Sequence, residues 1–279
     1  MSAAPHRPGP NDAVGGEGVA LLAVQNLSKS FGGVRAIEDL SFEVRPGTVH
    51  SIIGPNGAGK TTLLNMLVGV YVPDSGQIRL TGRDLVGEPT HRFAAAGLGR
   101  TFQNLQIFFN MTALENVMTG RHLRERRSLL AAMLRTRAQA RSEVSCRDVS
   151  HRLLEQVGLY GYRDTRADAM PYGALKRLEI ARALAAEPLL LLLDEPAAGL
   201  NQTEASEIDT LIKRLAAEGM TVILVEHNMR LVMGVSDQVL VLEHGRKLAE
   251  GTPAQIARDP RVIEAYLGVV ETAGAGGHA

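Results

Sequence analysis

An α/β fold, with a mixed sheet and an inserted helical subdomain, is predicted by three features of the chain. Apolar runs without polar alternation recur at 48–53, 189–194 and 221–226, as expected of central parallel strands covered on both faces. Better-alternating runs near the two ends of the chain suit an antiparallel subsheet. Between them, residues of about 104–186 are rich in Ala, Leu and Arg and carry no strand signal.

In chain order, residues 1–20 hold many Gly, Pro and Ala and read as a disordered tail, as do residues 270–279. The folded domain is expected over 21–269. LLAVQN (21–26), AIEDLSFEV (36–44) and GQIRLTG (76–82) are the early strands, and TVHSII (48–53) is the first core strand. Thr112 with Glu115 fits a capping box opening a helix through Met118. LLLLLD (189–194) and TVILVE (221–226) are further core strands, and DQVLVLEHG (237–245) is a late strand assigned to the subsheet.

Composition narrows the function classes. The 279 residues allow two domains or one large domain with an insertion. Lys and Arg number 30 and balance 30 acids, so no global charge draws the chain to nucleic acid. A lone cysteine, Cys146, forbids an intramolecular disulfide and suits a reducing compartment; no metal or nucleophile motif surrounds it. The N-terminus has no apolar signal core, and the longest aliphatic run, Leu189 to Leu193, is far short of the ~20 residues a membrane helix needs. The chain is therefore expected to be soluble and to reach a membrane only through a partner.

The chemistry begins at GPNGAGKTT, residues 54–62, a full match to the phosphate-loop pattern between a strand and a helix-compatible stretch. Gly54, Gly57 and Gly59 permit turns that aim backbone amides at phosphate oxygens, with Pro55, Asn56, Ala58 and Thr62 completing the loop. The helix N-terminus adds partial positive charge. Lys60 is placed to bridge the outer phosphates, and the Thr61 hydroxyl to face Mg²⁺. A second half follows the aliphatic run at 189–193: Asp194 to hold Mg²⁺ through its water shell, and Glu195 to orient or deprotonate an attacking water.

With these residues in place the chain resembles the ATP-binding cassette (ABC) proteins. The resemblance implies a P-loop NTPase core with an antiparallel β-subdomain and an inserted α-helical subdomain, binding ATP and Mg²⁺. Gln103 in RTFQN matches the family's glutamine loop, which touches the Mg²⁺ and water site and contacts membrane subunits. His227, directly after TVILVE, matches the switch histidine that contacts the γ-phosphate. Phe31 stands where the family stacks an aromatic on adenine, and a core or staple phenylalanine is the alternative. MPYGALKRLEIARAL (170–184) aligns with the signature segment, which serves the nucleotide of an opposing subunit. Gly173 is kept there, but Met170, Pro171, Tyr172 and Ala174 replace the usual residues. Pro171 has neither the hydroxyl nor the N–H of the usual serine. In GLN (199–201), Asn201 stands in place of an acid.

Within that family the likeness, over about residues 21–268, is greatest to the larger ATPase subunit of branched-chain amino-acid importers. GRTFQN, the Tyr-Gly signature before RLEIARAL, DEPAAGLN and the closing AEGTPAQIARDPRVIEAYLG carry it. Importers for urea and amides, and a cassette for lipopolysaccharide export, share much of this pattern. The branch implies a peripheral subunit on the cytoplasmic face of a bacterial membrane. It would be paired with a second ABC ATPase, two transmembrane permease subunits and, indirectly, an external solute-binding protein. No nucleic-acid partner is implied.

Two other readings are weighed. Seven arginines against one acid, Glu125, lie between Arg121 and Arg141. They form either a solvated helix face or a surface for lipid headgroups or the membrane subunit. Pro171, Ala174 and Asn201 would also suit a regulatory module that closes on ATP and hydrolyses it poorly.

Overall fold

The computed structural model describes residues 20–101, 103, 105–122 and 137–266. Both expected tails, apart from Ala20, and most of the arginine-rich segment lie outside these residues. Arg121, where that segment starts, is described: its guanidinium bonds Glu187 at 3.0 Å.

Two sheets form. β1 (Leu22–Phe31), β2 (Val34–Val44), β4 (Ser75–Leu80) and the two-residue β5 (Arg83–Asp84) make an antiparallel sheet in the order β2-β1-β4-β5. The second contains β3 (Val49–Ile53), β6 (Leu98–Arg100), β7 (Leu190–Asp194), β8 (Thr221–Val225), β9 (Gln238–Glu243) and β10 (Arg246–Gly251), in the order β10-β9-β3-β8-β7-β6. All its pairings are parallel except β9 with β10. Helices α1 (Lys60–Leu67), α2 (Thr90–Ala96), α3 (Ala113–Gly120), α4 (Arg137–Gln156) and α5 (Tyr172–Leu184) precede β7. The last described elements are α6 (Gln202–Ala217), α7 (Met229–Val235) and α8 (Pro253–Ile256), with a further turn of helix from 260.

The six-stranded sheet explains the unalternating runs. Leu191 and Leu193 of β7 and Val222 and Leu224 of β8 pack into a cluster with residues of α3, α5 and α6. Their neighbours Leu190, Leu192, Ile223 and Val225 point the other way, into a cluster with α1 and the antiparallel sheet. A strand whose two faces are both buried needs apolar residues at every position, and each fully buried leucine contributes about 2 kcal/mol.

The sequence reading needs three corrections. The late strand β9 does not join the antiparallel sheet: it lies parallel beside β3, because Val239, Val241, Leu240 and Leu242 are buried on both faces. Alternation in β1 breaks after Val24 because bulges shift its register, so the strand runs on to Phe31. β6 is three residues of a Gly-Leu-Gly-Arg stretch and has no pattern to read. The Thr112–Glu115 capping box forms as expected, and its helix runs to Gly120.

One polar residue is sealed into the apolar face of β3. His50 is 1% exposed, its ring 5.6 Å from that of Phe42, and its Nε2 has no hydrogen-bond partner. Burial depresses its pKa from 6.5 to about 4; Glu250, with an oxygen 4.0 Å away, opposes the shift, and Lys247 adds to it slightly. Between these values the unfolded chain binds a proton that the folded chain does not, so stability falls as pH drops from 6.5 toward 4. The full effect is about 3 kcal/mol. Denaturant melts of His50→Leu against the parent should show a shallower loss of stability across that window.

Candidate functional site

Parallel strands place their carboxyl ends together, and here the ends of β3, β8 and β7 are adjacent. The loop after β3 is residues 54–59 and runs into α1, whose N-cap residue Gly59 supplies no side-chain cap. The first-turn amides of α1 therefore lack the side-chain acceptor that usually satisfies them. Two glycines are required by contact as well as conformation. A Cβ on Gly54 would lie 2.2 Å from the Leu242 carbonyl oxygen, and one on Gly59, at φ 102°, would lie 2.5 Å from that of Ala36. The loop is anchored by the Gly245 amide donating to the Ala58 carbonyl at 3.1 Å. Ala58's own amide turns onto the Pro55 carbonyl at 3.2 Å. Asn56, Gly57 and Thr61 are exposed, and Pro55 and Thr62 half-buried.

Lys60 curls over this loop, donating to the carbonyls of Gly54 at 2.6 Å and Pro55 at 3.0 Å. Burial pushes its pKa down, while the negative charges of Glu195 and Asp194 pull it back up. Those two carboxylates are thus the electrostatic neighbours of the loop's cation.

Glu195 is reached through a backbone kink. Its φ is +48°, in the left-handed region that non-glycine residues rarely adopt, and its amide bonds the Val225 carbonyl of β8 at 2.9 Å. The kink ends β7 and turns the carboxylate toward Gln103, whose Nε2 donates to it at 3.4 Å, and His227, whose Nδ1 lies 3.8 Å away. Residues from three separate segments of the chain therefore converge on one carboxylate. His227 is 66% exposed and Glu195 23% exposed, so the group faces solvent.

The remaining sequence-selected residues lie on other elements. Phe31 ends β1 and is 42% exposed, which removes the core reading; its ring meets Tyr71 edge-on at 5.1 Å. Gly173 lies in the first turn of α5 against the Glu204 side chain. Asn201 proves to be the N-cap of α6: its side chain accepts from the Glu204 amide at 3.0 Å, and Glu204 accepts from the Asn201 amide at 3.1 Å. Asn and Asp cap about equally well, so the replacement keeps the cap.

Three residues were missed by sequence reasoning. Glu226 is 1% exposed and accepts from the amides of Ala197 (2.9 Å), His227 (3.2 Å) and Asn228 (3.4 Å), tying the loop after Glu195 to the segment carrying His227. An acid closing the apolar run TVILV was a usable signal. Arg100 and Asn65 are the others: Arg100 bonds Asp194 Oδ2 at 2.9 Å and Asn65 Oδ1 at 2.8 Å, and nothing in their local sequence marks the contact.

A cleft of about 760 Å³ opens beside this site, bounded by β6, α3 and α5. Its walls include Leu98, Met118 and Phe108, on whose ring the Arg182 guanidinium sits at 5.5 Å.

The profile of the ABC transporter family matches residues 37–198. The chain belongs to this family. A second profile, described as a branched-chain amino acid ATP-binding cassette transporter, matches residues 246–272 of the cassette. The cassette is 44% identical over 249 residues to the high-affinity branched-chain amino acid transport ATP-binding protein BraF of Pseudomonas aeruginosa, covering 89% of this chain and 98% of that one. Its identity to LivG of Escherichia coli, a protein of the same description, is 43% over the same length and coverage. The lipopolysaccharide export ATP-binding protein LptB of Acidithiobacillus ferridurans is 38% identical over 89% of this chain and 97% of that one. Among solved structures, the ADP conformation of an ABC transporter cassette superposes with a TM-score of 0.77 at 30% identity, covering 90% of this chain and all of that one. Like its family, the cassette binds ATP, and it is an ATP-hydrolysing transport ATPase.

Removing the Glu226 carboxylate strands the buried amide of Ala197 and releases those of His227 and Asn228, which are exposed residues. Glu226→Ala should lose about 1–3 kcal/mol, the cost of leaving one buried amide unsatisfied. Equilibrium urea unfolding of the variant and the parent measures this difference.

Proposed function

We propose that this cassette powers import of branched-chain amino acids across the cytoplasmic membrane of a bacterium, from the cytoplasmic face. The convergence of Gln103 and His227 on Glu195, beside the phosphate loop, carries the hydrolytic half of this reading. The match over 246–272 and the identity to BraF and LivG support the solute class.

In this reading the amides of residues 54–62 and the α1 N-terminus hold the phosphates. Lys60 exchanges its two carbonyl partners for phosphate oxygens, which are stronger acceptors. Glu195 takes a proton from the attacking water, with Gln103 and His227 orienting the carboxylate and the terminal phosphate. Phe31, propped by Tyr71, stacks on adenine.

The Thr61 hydroxyl, the Gln103 amide oxygen and the Asp194 carboxylate are hard oxygen donors that fit Mg²⁺. Among the described residues no group of three or more His, Cys, Asp or Glu could hold a metal alone. This suits an ion held largely by nucleotide phosphates and water. Bound there, Mg²⁺ would neutralise charge on the outer phosphates.

Gly173 of one subunit would complete the nucleotide site of a second ABC ATPase, through the uncapped first turn of α5. No described helix is long and apolar enough to cross a membrane. The cleft bounded by β6, α3 and α5 supports docking of the two transmembrane permease subunits, which would receive solute from an external binding protein.

Glu195→Gln should lower steady-state ATP turnover by about 10²-fold or more while nucleotide affinity stays near that of the parent. Near-normal turnover would remove Glu195 from the role of base. Deleting the gene should abolish high-affinity uptake of radiolabelled leucine, isoleucine and valine, and tagged protein should recover two permeases and a second ATPase from detergent-solubilised membranes. Unchanged leucine uptake together with lost uptake of urea or an amide would move the assignment to a neighbouring branch.

A further inference from the structure

Arg100 ends β6, and the sheet register explains where its side chain goes. Its Cα pairs with that of Leu192 on β7. Residues two apart on a strand share a face, so Arg100, Leu192 and Asp194 project to the same side of the sheet. Leu192 packs in the cluster that includes α1. On that side the guanidinium forks: one arm donates to Asp194 Oδ2 at 2.9 Å, the other to Asn65 Oδ1 of α1 at 2.8 Å. Asn65 in turn accepts from the amides of Val70 and Tyr71 through its own carbonyl, which fixes it where α1 ends. The side chains of Arg100 and Asp194 are only 9% and 8% exposed. Thr101, the next residue, accepts from the Asp194 amide at 3.3 Å.

We propose that Arg100 is a positioning residue for the metal-binding carboxylate of Asp194, holding one oxygen and supplying its standing counter-charge. This rests on the assignment of Asp194 to Mg²⁺. A carboxylate this buried is costly without a partner. The ion comes and goes with nucleotide, whereas Arg100 is permanent. Holding Oδ2 leaves Oδ1 for the water shell of the ion. The fork to Asn65 ties the carboxylate to the helix that carries the phosphate loop, so metal and phosphate groups are referred to one frame. An arginine suits this because its planar fork engages two acceptors at fixed angles, which a lysine ammonium does not.

Removing the cation has two consequences of opposite sign. The negative charge of Asp194 then loses its bonded counter-charge, leaving the field of Lys60 and the metal to answer it, which strengthens cation binding. The orientation of the carboxylate is lost, which slows hydrolysis. A residue that merely held the fold would weaken both together.

The test uses the full-length protein with ADP and Mn²⁺ as a paramagnetic stand-in for Mg²⁺. Bound Mn²⁺ is counted by electron paramagnetic resonance, turnover is measured separately with Mg²⁺, and melting temperature is followed. Arg100→Met should bind Mn²⁺ about 5-fold more tightly in the presence of ADP, while turnover falls about 10-fold or more. Arg100→Lys should keep Mn²⁺ affinity within about 2-fold yet lose about 3-fold or more in turnover, because it keeps the charge and loses the fork. A methionine variant in which both quantities fall, or neither changes, overturns the proposal. If that variant does not fold, wild-type turnover in the lysine variant overturns it alone. Asp194→Asn separates the two ideas: if it leaves Mn²⁺ affinity unchanged, the metal assignment itself is wrong and Arg100 has no such role.

Discussion

Burial of the central parallel strands on both faces is the constraint from which the rest of the site follows. β3, β7 and β8 are lined by apolar residues toward the helical layer and toward the antiparallel sheet alike, so almost no polar group is tolerated along their length. Polar chemistry is pushed to the strand ends, where backbone groups leave the ladder and water is near. Register then aligns those ends. Asp194 is paired with Val225, so the residue after each, Glu195 and Glu226, leaves the sheet at the same level. The exceptions on β3 support the rule: Ser51 is met by the Ser236 hydroxyl at 2.6 Å, and His50, inside the same boundary, has a depressed pKa that records the penalty for a charge there.

At the strand ends, three carboxylates, Asp194, Glu195 and Glu226, meet two cations with distinct duties. Lys60 belongs to the loop and is shared between loop carbonyls and the field of the carboxylates. Arg100 belongs to Asp194. Glu226 is neutralised by backbone dipoles alone, accepting three amides, which leaves it no capacity to leave its place. Only Glu195 has no strong partner: its contacts to Gln103 and His227 are long, at 3.4 and 3.8 Å. Of the three carboxylates, the loosely held and partly exposed one is also the one whose backbone is strained. A group meant to exchange a proton with water needs that freedom, and the other two hold the scaffold around it.

How much of this was legible in sequence depended on whether a local pattern carried the information. The phosphate loop is contiguous, two of its glycines are required by steric contact, and it immediately follows a buried strand, so residues 54–62 could be read directly. Glu195 followed from the aliphatic run of β7. The Thr112–Glu115 cap was legible because both halves of a capping box lie within one turn. What could not be read was set by pairing between distant segments. β6 is too short for periodicity, and the reach of Arg100 to Asp194 spans 94 residues. The placement of β9 was misjudged because a strand at the margin of a parallel sheet and one in an antiparallel sheet share similar composition.

The departures in the signature segment look different once its surroundings are known. Pro171 occupies the N-cap of α5 with an extended backbone at φ −61° and ψ 152°, the geometry usual for an N-cap. Proline there donates no bond, but it leaves the amides of the first turn unclaimed by a side chain. Tyr172, next in line, approaches Gly199 to 3.2 Å of where a Cβ would stand, so the signature segment touches the loop that follows Glu195. Asn201 caps α6 through Glu204, and the same Glu204 side chain packs against Gly173. The substituted positions are therefore not scattered losses. They form a contiguous contact between the start of α5 and the start of α6, in which α6 is fixed by its Asn201 cap and α5 by close packing. A hydroxyl at position 171 would add one acceptor to that helix end, in competition with any anion approaching it.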